Sequence, residues 1–228
     1  MNSLLTGSVF TVDEMVARTY RLVLFDVGGV LVRIHYHWED AAQQAGVKAT
    51  FGSDGRTLIG SFPAMEAYQM GAVDLNGYLN RLGDWAGIDR GRALSIHNAI
   101  IIGEYPGVAD LIEEIHEAGL RTGCLSNTNG THWMELLQFP SVAALDYRMA
   151  SHEVGLSKPD PAIFRLFALT HGISPNEAVF FDDHSGNVAG ASEAGYRAFL
   201  VDPSGDTAAQ MRGRLVGLGV LPAKRPAR

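Results

Sequence analysis

The chain has 228 residues, of which 46% are apolar and 19% are charged, and its formal net charge is −7. No apolar run approaches the roughly 20 residues that a membrane helix requires, and there is no excess of Lys and Arg to neutralise a nucleic-acid backbone. We therefore expect a small-molecule partner, with no membrane and no nucleic acid. The single cysteine, Cys124, lies in an apolar run without a preceding export signal, which favours a buried thiol and a cytoplasmic location.

Residues 1–20 are expected to form an N-terminal extension, either as a short helix around residues 12–18 or without regular structure. The last seven residues, 222–228, have a composition of Pro, Lys, Arg and Ala that cannot support packing, and we expect a frayed tail there. Neither end carries an indication of oligomeric state.

The first clear element is a short apolar strand at residues 22–25, which ends at Asp26 and a pair of glycines. Three later apolar runs have the same form, at residues 122–125, 178–181 and 198–201. Amphipathic helices are predicted between them, at residues 108–118 and 161–170. Apolar strands alternating with amphipathic helices are typical of a parallel sheet covered on both faces. The sequence therefore predicts an α/β fold with a doubly wound, Rossmann-like parallel sheet.

Residues 33–103 interrupt this alternation, because they contain no convincing strand. Helical patterns instead occur near residues 38–45, 74–85 and 90–101, with Asp74 as an N-cap and Gly83 or Gly87 as a stop. We predict an all-helical insert at 33–103 and an α/β core formed by residues 21–32 and 104–221. Since the insert follows the loop after the first strand, it should cover the carboxyl edge of the sheet as a cap.

Four polar clusters follow predicted strands or precede a helix. They are Asp26-Val27-Gly28-Gly29-Val30, Ser126-Asn127-Thr128, Lys158-Pro159-Asp160, and Asp182-Asp183 with Asn187. The carboxyl ends of parallel strands line one crevice, so these distant residues can converge there. Together they supply a nucleophile, neutral donors, a cation and paired acids, which suits phosphate chemistry with a hard metal ion.

In this order, the four clusters resemble the signature motifs of the haloacid dehalogenase superfamily. The resemblance extends from about Arg21 to Asp202 and includes the insert, which lies where that superfamily carries its C1-type helical cap. It implies a magnesium-dependent hydrolase, specifically a phosphatase that acts on a small phosphorylated metabolite.

The resemblance also implies a role for each motif residue. Asp26 would attack phosphorus and form an aspartyl-phosphate, a standard form of covalent catalysis. Lys158 would neutralise the nucleophile and the phosphate together. Ser126 and Asn127 would hold the phosphoryl oxygens.

The metal site follows from the same resemblance. Mg²⁺ would be bound by Asp26 and Asp183 through their carboxylates and by Gly28 through its backbone carbonyl. Asp182 would orient a bound water, and Asn187 would support the loop from the following helix.

One position departs from the superfamily's phosphatase pattern. Those phosphatases carry a second aspartate two residues after the nucleophile, where this chain has Gly28. That group serves in general acid-base catalysis, which contributes roughly 10²- to 10⁴-fold. A substrate whose leaving oxygen needs little protonation would suffer least from its loss, and some members with this glycine resemble sugar-phosphate phosphatases. We therefore expect a sugar 1-phosphate as a candidate substrate.

Two histidines could supply the missing proton transfers. His184 follows Asp183 at the edge of the predicted site, and His35 lies where the chain enters the insert. Either imidazole can titrate near neutral pH. The pair His35 and His37 lacks a third ligand and is a poor candidate for zinc. Three residues of the insert, Met65, Tyr68 and Met70, are expected either to line the underside of the cap or to pack in its core.

Three alternatives stay open at this stage. A metal-independent 2-haloacid dehalogenase shares the nucleophile, the Ser-Asn pair and the lysine, but it has no need for the adjacent acids Asp182 and Asp183, which are costly to bury without a cation. A phosphomutase depends most on the acid-base residue that is missing here. A non-catalytic protein that binds a phosphometabolite or a protein partner would not need Asp26.

Overall fold

The computed structural model describes residues 20–52 and 56–223. The predicted helix at 12–18 and the end of the predicted tail lie outside these residues. Seven strands are present in the described part: β1 (Leu22–Phe25), β2 (Val32–Ile34), β3 (Ile101–Glu104), β4 (Arg121–Ser126), β5 (Tyr147–Ala150), β6 (Ala178–Asp182) and β7 (Arg197–Leu200). Five of them form a parallel sheet in the order β5-β4-β1-β6-β7.

The central strand β1 divides two apolar layers. Val23 and Phe25 belong to the core on one face of the sheet, whereas Leu22 and Leu24 belong to the core on the other. This follows from the two-residue period of a strand. The first face is covered by the helices Val108–Glu117, Gly130–Leu136, Pro140–Ala143 and Thr207–Gly217, and the second by Pro161–His171 and Ser185–Glu193. The predicted doubly wound α/β fold is confirmed.

Several predicted elements are found within a residue or two of their expected bounds. The helices predicted at 108–118 and 161–170 span Val108–Glu117 and Pro161–His171, while β7 ends at Leu200 rather than at residue 201. Cys124 is fully buried in the core, and burial raises the pKa of its thiol to about 12. The sequence did not reveal β5, nor the short helices Pro140–Ala143 and Ser151–Val154.

The insert is predominantly helical, as expected. It contains the helices Trp38–Gln44, Pro63–Gln69, Leu75–Ala86 and Arg90–Asn98 and a 3₁₀ turn at Ile59–Ser61, and its buried apolar residues form a cluster of their own. Asp74 caps its helix by accepting a hydrogen bond from the Gly77 amide at 2.7 Å, and that helix ends at Gly87, which has a φ of 65°. The helix Pro63–Gln69 was not predicted.

The two ends of the insert correct the prediction that it contains no strand. β2 and β3 pair antiparallel, with Val32 opposite Glu104 and Ile34 opposite Ile101. The helix predicted to reach residue 101 therefore stops at Asn98, because a run of β-branched isoleucines at 100–102 favours strand pairing. The proposed division into core and cap now has a paired two-stranded junction at its boundary.

Polar contacts join the insert to the core at a second place. The imidazoles of His97 and His132 stack with their centroids 3.9 Å apart, and His132 Nε2 donates a hydrogen bond to the His97 carbonyl at 2.9 Å. The hydroxyls of Tyr68 and Thr131 lie 2.6 Å apart. In the part of the chain that the structure describes, no helix has the length and hydropathy needed to cross a bilayer.

Candidate active site

Strand order brings the four polar clusters to one edge of the sheet. Because β1 lies between β4 and β6, Asp26 emerges between Ser126 at the end of β4 and Asp182 at the end of β6. Lys158 reaches the same edge from the loop before the helix Pro161–His171. Residues more than 150 positions apart in the sequence thus become neighbours.

Lys158 contacts two carboxylates at this edge of the sheet, those of Asp26 and Asp182. Its ammonium Nζ lies 2.9 Å from Asp26 Oδ1 and 2.7 Å from Asp182 Oδ2, and the lysine side chain is fully buried. Burial by itself lowers the pKa of Lys158, but Asp182 and Asp26 outweigh it, and the pKa is raised overall. The lysine is therefore a fixed positive charge beside the predicted nucleophile.

Asp182 fixes this lysine in place. Besides Lys158, its two oxygens accept hydrogen bonds from Asn187 Nδ2 at 2.9 and 3.1 Å and from the His184 amide at 2.8 Å. These contacts hold Asp182 against Lys158; its predicted orientation of a metal-bound water stays a prediction. Asn187 is buried, so the alternative of a surface polar residue is excluded.

Asp183 points toward the insert instead. Its Oδ2 accepts a hydrogen bond from the hydroxyl of Tyr36 at 2.7 Å. Burial raises the pKa of Asp183, and the Tyr36 hydrogen bond opposes this effect. The backbone of Gly29 passes directly beneath this pair with a φ of 78°, and a Cβ there would collide with both Tyr36 and Asp183. Sequence reasoning did not assign a function to Tyr36, because the contact depends on the path of the chain into the insert.

The three acids form a cluster that fits a divalent cation. One carboxylate oxygen from each of Asp26, Asp182 and Asp183 can be chosen so that all three lie within 4.8 Å of one another. Lys158 alone neutralises only one of the three carboxylates, and burial, with further contributions from Asp182 and Asp183, raises the pKa of Asp26 well above its ordinary value. Since Asp182 is engaged by Lys158 and Asn187, the oxygens of Asp26 and Asp183 are better suited to Mg²⁺, and Gly28 lines the same cavity.

The two donors predicted to hold phosphate differ in their surroundings. Ser126 is buried and lines the cavity. The side-chain amide of Asn127 instead bonds both ways to the backbone of Lys158: its Nδ2 donates to the Lys158 carbonyl at 2.7 Å, and its Oδ1 accepts from the Lys158 amide at 2.9 Å. Asn127 therefore holds the lysine loop with its side chain, which leaves its backbone as the part free to approach a ligand.

The position of the missing acid is bordered by an apolar side chain. A Cβ built on Gly28 would lie 3.0 Å from Cδ1 of Ile34, the last residue of β2. The space into which a carboxylate would extend is therefore bordered by a methyl group. This contact could not be anticipated, because β2 itself was not predicted.

The two histidines suggested as substitutes both line the cavity. His35 is half-buried, burial lowers its pKa, and its Nε2 has no hydrogen-bond partner among the described residues. His184 is exposed and precedes the helix Ser185–Glu193. His37 lies beside Asp40 and Arg56 rather than in the cavity, which disfavours the paired-histidine metal site.

A cavity of about 640 Å³ connects this edge to the insert. Asp26, Ser126 and Lys158 lie on the core side, and Met65 and Met70 line the insert side, as expected for the underside of a cap. The volume lies within the range of roughly 300–1,000 Å³ that small-molecule sites occupy.

The fold and the site together define a class of α/β protein. In this class, a cluster of carboxylates in contact with a lysine lies at the carboxyl edge of a parallel sheet, beneath a helical insert. The chain belongs to the haloacid dehalogenase-like hydrolase family, whose model matches residues 20–195.

Two individual relatives of the chain have names that describe phosphatases. The chain is 38% identical over 105 residues to the phosphatase MT3486 of Mycobacterium tuberculosis, a match that covers 45% of this chain and 48% of that protein. The chain thus spans about half the length, or less, of the curated relatives that it matches first. It is 28% identical over 198 residues to a D-ribitol-5-phosphate phosphatase of Bacteroides thetaiotaomicron, covering 81% of this chain and 93% of that protein.

Among solved structures, a haloacid dehalogenase family enzyme of Bacteroides thetaiotaomicron in its magnesium complex has a TM-score of 0.70 at 20% identity, with 85% of this chain and 99% of that chain covered. At this level of identity the likeness establishes the shared fold.

Proposed function

We propose that the chain is a magnesium-dependent phosphatase that hydrolyses a small phosphate monoester through an aspartyl-phosphate on Asp26. The observation that carries this proposal is the contact of Lys158 with Asp26, beside the further carboxylate Asp183. Two relatives with phosphatase names and a structural neighbour crystallised with magnesium support it.

In the first half-reaction, an oxygen of the Asp26 carboxylate bonds to phosphorus while the bond from phosphorus to the ester oxygen breaks and its electron pair leaves on that oxygen. Two anions must approach within bonding distance, and the Lys158 ammonium at 2.9 Å reduces their repulsion. The buried hydroxyl of Ser126 would donate to a phosphoryl oxygen. Mg²⁺ bound by Asp26, Asp183 and the Gly28 carbonyl would neutralise the phosphoryl charge and fix its orientation.

The second half-reaction returns the site to its starting state. Water attacks the phosphorus of the aspartyl-phosphate, the bond to Asp26 breaks, and phosphate leaves while Asp26 regains its carboxylate. Because burial raises the pKa of Asp26, the carboxylate depends on Lys158 and on the metal to stay ionised.

The leaving group is restricted by Gly28. Without a carboxylic acid at this position, the departing oxygen must leave with little protonation, which favours substrates whose leaving oxygen is acidic. A sugar 1-phosphate satisfies this condition and is the candidate suggested by the sequence.

The decisive test measures phosphate release from a panel of phosphorylated metabolites with Mg²⁺ and with EDTA. We expect activity that depends on Mg²⁺ and falls at least 10³-fold in Asp26→Asn, on the scale seen when a nucleophile is removed. Lys158→Met should lose activity comparably, whereas Lys48→Met, at an exposed lysine of the insert, should not. Activity that survives EDTA or Asp26→Asn would contradict the mechanism.

The same variants separate the alternatives. Halide release from a 2-haloacid without metal would identify a dehalogenase, although the paired acids Asp182 and Asp183 would then be buried without a cation. Binding of phosphometabolites with equal affinity by the parent and Asp26→Asn, without turnover, would identify a non-catalytic protein.

A further inference from the structure

The cavity wall beyond the carboxylate cluster is largely apolar. It is formed on the insert side by Ile34, Leu58, Ile59, Met65, Met70 and Ile100. The wall begins at the nucleophile itself, because Ile34 Cδ1 borders the side-chain position of Gly28. The body of a substrate whose phosphate lies at Asp26 therefore meets alkyl and thioether groups first.

This surface is a poor match for a sugar. Besides Glu66, the hydrogen-bonding side chains that the insert adds to the wall are His35, Tyr36, Ser61 and Gln69. The hydroxyls of Tyr36 and Ser61 already donate to Asp183 and to the Leu58 carbonyl, which leaves His35 and Gln69 as the side chains of the insert that could pair with a sugar hydroxyl. A sugar ring carries hydroxyl groups on most of its carbons, and those placed against alkyl side chains would lose water without gaining a partner. A flat apolar ring has no such cost, and methionine sulfur makes favourable contacts with aromatic rings.

The charges of the wall exclude a second anion. Within the described residues that line the cavity, Lys158 is the single Lys or Arg, and it is already held by Asp26 and Asp182. The insert contributes a carboxylate instead, from Glu66. A carboxylate or second phosphate on the substrate would thus face a negative charge and find no cation.

The acidity of the leaving group also favours an aryl ester. Phenolic oxygens have a pKa of about 10, far below the value of about 15.7 for water. A phenolate can therefore depart without the acid that Gly28 lacks.

We propose that the substrate is an aryl monophosphate whose ring carries no second anionic group. This inference rests on the proposed function and names its substrate class. An Asp26 oxygen bonds to phosphorus, the bond between phosphorus and the aryl oxygen breaks, and its electron pair leaves on the phenolate, which takes a proton from water. Water then cleaves the aspartyl-phosphate to inorganic phosphate.

The first test compares kcat/KM for phenyl phosphate, glucose 1-phosphate and butyl phosphate with Mg²⁺. We expect kcat/KM for phenyl phosphate to exceed the values for both other esters at least tenfold.

Because aryl esters are also more reactive, inhibition by phenylphosphonate and methylphosphonate is measured alongside. We expect the phenyl compound to bind at least tenfold more tightly than the methyl compound. Preference for glucose 1-phosphate, or equal inhibition by the two phosphonates, would overturn this inference and leave the proposed function intact. Absence of hydrolysis for all three esters would overturn the proposed function itself.

The second test addresses the wall residues. Met70→Gln should raise KM for phenyl phosphate several-fold, while Met134→Gln, at a methionine 65% exposed outside the cavity, should not. The exclusion of a second anion is tested by comparing 4-carboxyphenyl phosphate with 4-carbamoylphenyl phosphate, in which the added group is neutral. We expect KM to be at least tenfold higher for the carboxylate ester. This ratio of KM values should fall at least threefold in Glu66→Gln but not in Glu113→Gln, which changes an exposed glutamate on a core helix. Equal KM values for the two esters in the parent protein would contradict the proposed exclusion of a second anion.

Discussion

The space beside Gly28 bears on the proton transfers of the proposed mechanism. The methyl group of Ile34 lies 3.0 Å from where a Cβ of residue 28 would stand, and it is the end of a side chain that can move by a few tenths of an ångström. A carboxylate at residue 28 can therefore be accommodated, and it would extend into the cavity that Asp26 lines.

We expect Gly28→Asp to recover hydrolysis of poor leaving groups. General acid catalysis is worth roughly 10²- to 10⁴-fold, and part of it should appear as at least a tenfold higher kcat for butyl phosphate. Gly28→Asn is the matched control, because it adds the same volume without an acid. Equal rates in the two variants would show that residue 28 does not control proton transfer to the leaving oxygen.

At the level of single residues, the sequence predicted the motif positions better than their contacts. Asp26, Lys158 and Asp183 could be found because each follows a strand or precedes a helix with a recognisable pattern. The hydrogen bond from Tyr36 to Asp183 could not be found, since it joins positions 147 residues apart through the fold of the insert. The function of Asn127 changed for the same reason, because its amide partner is the backbone of Lys158.

Among the elements, the helices Arg90–Asn98 and Gly130–Leu136 meet at a pair of buried histidines. His97 and His132 stack between them, with Tyr78 Oη 3.2 Å from His97 Nδ1 and Asn129 Nδ2 3.2 Å from His132 Nδ1. Burial lowers the pKa of His132 to about 4 and that of His97 well below its ordinary value. Both imidazoles are therefore neutral in the folded protein at neutral pH.

This contact should weaken in acid. Unfolded histidine has a pKa of about 6.5, so the unfolded chain binds more protons than the folded chain below that pH, and stability falls as the pH drops from about 6.5 toward about 4. For His132, the loss is about 2 kcal/mol by pH 5.0, at about 1.4 kcal/mol for each pH unit below about 6.5.

Urea unfolding at pH 7.5 and pH 5.0 measures this effect. His132→Gln retains a hydrogen-bond donor but does not titrate, and we expect it to lose about 2 kcal/mol of the pH dependence that the parent protein shows. The exposed His184→Gln should retain that dependence. An unchanged pH dependence in His132→Gln would exclude the stacked pair as its source.

Sequence patterns predicted elements according to their length and regularity. The strands β1 and β6 each contain four consecutive apolar residues, and the helices Val108–Glu117 and Pro161–His171 have regular apolar faces. The pair β2 and β3 was missed because the strands have only three and four residues, of which Val32 alone is fully buried, and because their pairing joins segments nearly 70 residues apart.

For the molecule as a whole, the carboxylate cluster should couple metal binding to stability. A ligand that binds only the folded state stabilises it by about 2.7 kcal/mol at a hundredfold excess over its Kd. For a protein of this size, that corresponds to a rise in Tm of about 5–10 °C. We expect Mg²⁺ to produce such a rise and EDTA to reverse it, as measured by differential scanning calorimetry.

The matched variants for this measurement are Asp183→Asn and Asp110→Asn. Asp183 belongs to the cluster, whereas Asp110 is exposed in the first turn of the helix Val108–Glu117. The Mg²⁺-dependent rise in Tm should disappear only in the first. A rise of equal size in both would indicate metal binding outside the cluster.

The antiparallel pairing of β2 with β3 also bears on how such a chain can diversify. Because residues 34 and 101 lie side by side, the polypeptide leaves the α/β core and returns to it at the same place. The segment between them can be exchanged for a longer, shorter or differently shaped one without rethreading the strands that end beside Asp26, Ser126 and Asp183. In the proposed function, recognition of the substrate body and attack on its phosphate lie in separate parts of the chain, so the first can change while the second stays constant.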